Sequence, residues 1–181
     1  SLTDQDARSM ATSGRGTGMV GYNVQLSVDT KHHLIVAHEV TNLGHDRTQL
    51  ANMSFQSKNA IGVQKLDAIA DRGYYKGPEI LKCVEAGITP FVPKTMTSDN
   101  KANGLYDKRD FVYIKDANEY RCPAGETLLY RMSSIEHDMN LGVYWSSNCR
   151  TCAQRGQCTT GKERRVRRWE HEDVLDAMQS R

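Results

Sequence analysis

The stretch "VQKLDAIADRGYYKGPEILKCVEAGITPFVPK", residues 63–94, constrains the fold of this chain most. "KLDAIA" is a short apolar run of strand length, and it stops at Asp71 in "ADRGYYKG". "GPEILKCVEAG" then reads as a helix, with Pro78 at a first helical position, apolar Ile80, Leu81 and Val84, and Gly87 as the C-terminal stop. "ITPFVPK" follows as a second short strand. Strand, helix and strand in about thirty residues make a βαβ unit with parallel strands and a right-handed crossover. Asp71 therefore falls at the C-terminal end of a parallel strand, where open α/β sheets place ligands and metals. A simpler role is also open to it, as a turn cap accepting amides from Gly73 or Tyr74.

Upstream, "GYNVQLSVDTKHHLIVAHEVTN" alternates, with Tyr22, Val24, Leu26 and Val28 on one face and Asn23, Gln25, Ser27 and Asp29 on the other. A half-buried antiparallel hairpin over residues 21–42 is expected, with Asp29 at its tip and His32 and His33 in the turn. "HDRTQL" offers Asp46 as N-cap with Gln49 three residues on, a capping-box pattern that opens a helix running to Gly62.

Beyond Lys94 the texture changes. "TMTSDNKANG" is polar, so a boundary is expected near residue 95. After it come the β-like runs "DFVYI", "EYRC" and "TLLYR". Cys122, Cys149, Cys152 and Cys158 form the pattern C-x26-C-x2-C-x5-C. Four thiolates at such a spacing could hold a structural Zn²⁺, and four reduced thiols or disulfides are the other options. Cys83 falls inside the second helix and is expected in the core. "KERRVRR" places Lys162, Arg164, Arg165, Arg167 and Arg168 within seven residues, a phosphate-contacting composition that also suits a solvated surface. "RRWEHEDVLDAMQSR" brings Trp169, Val174, Leu175 and Met178 into roughly helical register, so an amphipathic C-terminal helix is expected.

The 181 residues, 38% apolar with 14 glycines, suit a folded protein of one domain with an appendage. No apolar window approaches the length of a membrane span, and "SLTDQDARSM" lacks the basic and apolar regions of a signal peptide. The chain opens on Ser1 and closes inside the expected last helix, so it reads as an internal fragment.

Taken in order, "GYNVQLSVDTKHHLIVAHEVTN", "HDRTQL" and "ADRGYYKGPEILKCVEAGITPFVPK" resemble the core of DDE-type insertion-sequence transposases, the bacterial branch of the RNase H-like, retroviral-integrase-like superfamily. "YRCPAGETL" and "CRTCAQRGQC" resemble the cysteine-bearing insertion of one subfamily. The resemblance implies an α/β chain with a partial RNase H-like mixed sheet, a small cysteine-containing β-rich insertion and a C-terminal helix. The expected divisions are a lead-in over 1–20, the core over 21–94, the insertion over 95–161, and the basic segment with the last helix over 162–181. It makes Asp71 the second acid of the catalytic triad and a ligand of Mg²⁺ or Mn²⁺. It also implies DNA as partner, a synaptic homodimer, and a bacterial cytoplasmic, nucleoid-associated location.

Two departures stand out. No "DGT"-like strand with the first acid precedes Gly21, and Asp4 and Asp6 lack an apolar strand around them. Glu170 and Glu172 are candidates for the third acid, although the spacing puts the family's glutamate helix beyond Arg181. With one acid of three, this chain is expected to be inactive alone, its parent being the enzyme. A non-catalytic DNA-binding module built on the cysteines and the basic run is the rival expectation.

Overall fold

The computed structural model describes residues 3–10, 18–95 and 98–181. The chain divides into two compact units, Ser1–Thr95 with Asp173–Arg181, and Met96–Glu172.

In the first unit β1 (Arg8–Met10) pairs antiparallel with β2 (Met19–Gly21), and β3 (Asn23–Val28) with β4 (Ile35–Thr41). α1 (Leu50–Ile61) follows, then β5 (Leu66–Ile69), α2 (Gly77–Glu85) and β6 (Ile88–Phe91), with β5 and β6 parallel. The βαβ unit thus forms where the apolar runs and helix signals placed it. Gly87, at φ +72°, turns the chain from α2 into β6 in a conformation that favours glycine. Cys83 and Ile80 are fully buried on α2, and burial pushes the Cys83 thiol up to about 11.

The hairpin alternates as expected, but its buried face is the polar one. Gln25 is only 2% exposed, whereas Val24 and Leu26 are 57% and 53% exposed. The reason lies in α1, whose facing side is itself polar. Ser57 Oγ donates to Ser27 Oγ at 2.7 Å, and Asn52 and Gln56 both donate to the Glu39 carboxylate. Inward side chains from strand and helix satisfy one another, so the valines and leucine are left outside.

The start of α1 also departs from the sequence pattern. Its N-cap is Gln49, which makes no side-chain cap bond, and Asp46 joins it only through Gln49 N donating to Asp46 O. The missing cap comes from α2: buried Glu79 accepts the Ala51 amide at 3.2 Å. Lys58 of α1 reciprocates by donating to Ala86 O at the end of α2. Orphan helix-end groups are thus satisfied between helices instead of within one. Glu79→Ala is expected to cost about 1.5–3 kcal/mol, the value of a hydrogen bond to a buried charge. Lys82 also pairs with Glu79, at 2.9 Å, but is more than half exposed, so Lys82→Ala should cost less than about 1 kcal/mol. Urea unfolding of both variants checks the contrast, and equal losses would refute the capping role.

The second unit is an antiparallel sheet in the order β11-β10-β9-β8-β7. Its strands are β7 (Val112–Ile114), β8 (Glu119–Arg121), β9 (Thr127–Glu136), β10 (Met139–Trp145) and β11 (Val166–Trp169). The three short runs read from sequence are β7, β8 and the first half of β9. His137 and Asp138, both with positive φ, make the two-residue turn between β9 and β10. Phe111, Tyr120, Leu128, Tyr144 and Val166 form the core of this unit, with the Tyr113, Tyr120 and Tyr144 rings packed edge to face or tilted. The last helix, α3, is shorter than its apolar register suggested: it spans Glu172–Gln179, and Trp169 belongs to β11.

Candidate functional site

β5 ends at Ile69, and Ala70 N donates to Phe91 O as the last rung beside β6. Asp71 comes next, exposed, and opens a short 3-10 turn over Arg72–Tyr74. Its Oδ1 accepts the Gly73 amide at 2.6 Å, so the turn-cap role is realised. That bond uses one oxygen. A methyl group at Gly73 would stand 2.9 Å from Asp71 Oδ1 and 3.8 Å from Asp46 Oδ2, so the two carboxylates flank one bare Cα. Only glycine leaves that approach open.

Asp46, half-buried, is held by two amides: Asn23 Nδ2 and Gln25 Nε2 each donate to its Oδ1 at 2.7 Å. Gln25 Oε1 in turn accepts the Tyr74 hydroxyl at 2.6 Å. The Tyr74 phenol is held above its ordinary range, first by burial and then by the negative charges of Asp46 and Asp71. Among the described residues, the Oδ2 atoms of Asp46 and Asp71 have no hydrogen-bond partner. The inward polar face of β3 thus orients a second carboxylate beside the first. Reading the sequence missed Asp46 because its capping-box context accounted for it locally. The available signal was the two amide side chains, Asn23 and Gln25, on one face of an alternating strand.

Oxygen-only donors suit a hard divalent cation such as Mg²⁺. Among the described residues no group of three or more His, Cys, Asp or Glu side chains is arranged to hold a metal. Next to the pair, a cavity of about 380 Å³ lies between the edges of β3 and β5. Residues Leu26–Thr30 line it from one side and Leu66–Ala70 from the other, over Met53 and Ser57 of α1. Among the described residues β3 pairs only with β4 and β5 only with β6, so both edges facing this cavity lack a strand partner.

The other aspartates have structural positions. Asp29 caps the hairpin turn by accepting the His32 amide at 2.7 Å, and the His32 and Lys31 amides hold its carboxyl below the usual range. Asp4 accepts the Tyr22 hydroxyl on both oxygens, which lowers its pKa, and also binds the Asp6 and Ala7 amides. Glu172 is buried, paired with Lys108 at 2.6 Å and accepting the Trp169 amide, while Glu170 accepts Asn140.

The basic run is not a free arm. Arg168 is buried with its guanidinium 3.9 Å above the Tyr113 ring, and Arg164 lies 5.4 Å from the Phe111 ring centre. Arg165 pairs with Glu163 at 2.8 Å and Arg167 with Glu136 at 3.2 Å, both on the surface, and Lys162 is exposed. Within β11, alternation sets exposed Arg167 apart from buried Arg168, which composition does not reveal.

Cys122, Cys149, Cys152 and Cys158 all line one cavity of about 20 Å³ in the second unit. All are unoxidised, and burial raises the Cys158 thiol.

The candidate site is thus a mixed α/β unit whose parallel strand ends beside two carboxylates, Asp71 and Asp46. The chain belongs to the transposase DDE domain family, whose profile matches residues 2–180. Comparison with curated proteins and with solved structures gave no match. At the level of the family, DNA is the partner and a divalent metal the cofactor. No described helix is long and apolar enough to cross a membrane.

Proposed function

We propose that this chain is part of a DNA transposase that cleaves DNA at insertion-sequence ends and joins the freed 3′ ends to a target. Its first unit is a partial RNase H-like core, and the chain alone is inactive. The observation that carries this reading is the meeting of Asp71 and Asp46 across Gly73 at the end of a parallel strand. In such a site bound Mg²⁺ would supply charge neutralisation at the phosphate and activation of the attacking oxygen. Asp71 would be one ligand, its Oδ1 fixed by the Gly73 amide so that Oδ2 faces outward as donor. Asp46 would be the second, its Oδ1 held in place by the amides of Asn23 and Gln25. Tyr74, kept as the neutral phenol, closes the buried side of the pair through Gln25.

Two-metal phosphoryl transfer needs carboxylates from several elements to hold ions about 4 Å apart. The gap between β3 and β5 supports the view that one element is supplied by another part of the parent, as a strand that pairs with both edges and carries the first acid. The exposed Val24, Leu26 and Ile69 fit a sheet face that other segments of the parent cover. The cysteine-bearing subfamily, a synaptic dimer and a nucleoid-associated place in the bacterial cytoplasm belong to the same reading. The rival, a non-catalytic DNA-binding module, would rest on the exposed Lys162, Arg165 and Arg167, since Arg164 is half-buried and Arg168 buried against rings of their own unit.

The purified 181-residue chain, incubated with supercoiled plasmid and Mg²⁺, is expected to leave the plasmid intact. Mg²⁺-dependent nicking that disappears in Asp71→Asn would overturn the inactivity of the isolated chain.

A further inference from the structure

We propose that Cys122, Cys149, Cys152 and Cys158 form a tetrathiolate site for a structural Zn²⁺, and that Arg164 serves this site as its countercharge.

The connection from β10 to β11 runs from Ser146 to Arg165, far longer than most loops in compact units. It contains two short 3-10 turns, Ser147–Arg150 and Arg155–Gln157, and no α-helix or strand. In this stretch Ser146 alone is buried, and the loop's one partly buried apolar side chain against the core cluster is Cys158 itself. A segment of this kind needs a cross-link or a metal to hold a single conformation.

The cysteines are where such a clamp would act. Cys149 lies in the first 3-10 turn, Cys152 two residues past it, and Cys158 directly after the second. Cys122 comes from a separate element, the tight turn after β8, where Cys122 N donates to Glu126 O and Gly125 N to Cys122 O. Gly125, at φ +82°, allows that turn. Three cysteines from the loop and one from the β8–β9 turn therefore line one cavity of about 20 Å³. That is room for roughly one water-sized particle. Among the described residues no three of these side chains already stand in metal-holding geometry; the sulfurs would close to tetrahedral corners as the ion enters and the thiol protons leave. Four soft thiolates in that arrangement select Zn²⁺ over the hard cations that carboxylates hold.

Arg164 supplies an independent observation. It lines the same cavity, and its Nε is buried without a hydrogen-bond partner. A buried guanidinium N–H left unsatisfied is costly. Zn²⁺ with four thiolates carries a net charge of minus two, and thiolate sulfur accepts hydrogen bonds, so the occupied site would satisfy this donor. Arg165, next in sequence, does not line this cavity: it is exposed, pairs with Glu163 and lies 5.0 Å from the Trp145 ring centre.

This proposal does not depend on the transposase reading, and either can fail alone. The chain, purified without added metal or chelator, is analysed for zinc and iron by mass spectrometry. One zinc per chain is expected, falling to background in Cys152→Ser and unchanged in Cys83→Ala, whose thiol is in the other unit. Arg164→Leu is expected to weaken zinc retention against a competing chelator by about tenfold or more, as loss of an outer-shell partner does, with Arg165→Leu unchanged. If Cys152→Ser does not fold, the wild-type chain decides: chelation should release one zinc and make four thiols newly reactive to a thiol reagent. Absence of zinc, iron in its place, or equal thiol reactivity with and without chelator would each overturn the proposal.

Discussion

On the transposase reading proposed above, Asp71→Asn in the parent enzyme is expected to reduce DNA strand transfer by at least about 10–100-fold, the loss that follows removal of even an outer-shell partner of a metal. The substitution keeps size and shape, and an asparagine Oδ1 can still accept the Gly73 amide that Asp71 accepts now. Stability should therefore change little while the ligand charge is lost. Asp46→Asn is expected to behave the same way, because its Oδ1 can still accept the amides of Asn23 and Gln25. Gly73→Ala probes geometry at constant charge. Its methyl group would press on Asp71 Oδ1 at 2.9 Å, so the carboxylate must swing away and activity should fall without loss of either acid. Strand-transfer rates and melting temperatures, measured together, separate these effects. An Asp71→Asn enzyme within tenfold of wild type would end the assignment of Asp71 as a metal ligand.

Ile80→Ala is expected to destabilise the first unit by about 2–5 kcal/mol, the range for removing a large aliphatic side chain from a core. Ile80 has no exposed surface and sits one turn before Cys83 on the buried face of α2. Neighbours there include the α1 start that Glu79 caps, so the cavity would open where two helices exchange their end bonds. Close-packed interiors relax only partly around such a hole. Urea unfolding followed by circular dichroism reads the loss, and a change below about 1 kcal/mol would mean that the site collapses freely.

Much of the first unit was legible in the order of residues. Pro78, Gly87 and the apolar runs on either side define the βαβ unit because helix ends and strand lengths follow from local chemistry. The same locality placed Asp71 at a strand end and made it half of the candidate site. The other half was hidden, since Asp46 reaches Asp71 through Asn23, Gln25 and the path of a hairpin, none of them near in sequence to Asp71. The cysteine spacing pointed to a cluster, and the turn after β8 together with the long loop before β11 brings the four to one cavity.

Periodicity and turn chemistry were sufficient for the elements themselves: the hairpin, both longer helices and the parallel strand pair form over nearly the residues expected. Which side of each element is buried was a matter for its neighbours. Alternation in β3 has two faces of equal period, and α1, with Ser57 turned toward β3 and Asn52 and Gln56 toward Glu39 of its partner β4, selects the polar one. The arginines of residues 164–168 divide for the same reason, as pairing of β11 with β10 turns Arg168 onto Tyr113 and leaves Arg167 to Glu136. Burial is a property of packed surfaces, and a one-dimensional pattern carries the period of a surface without carrying its partner.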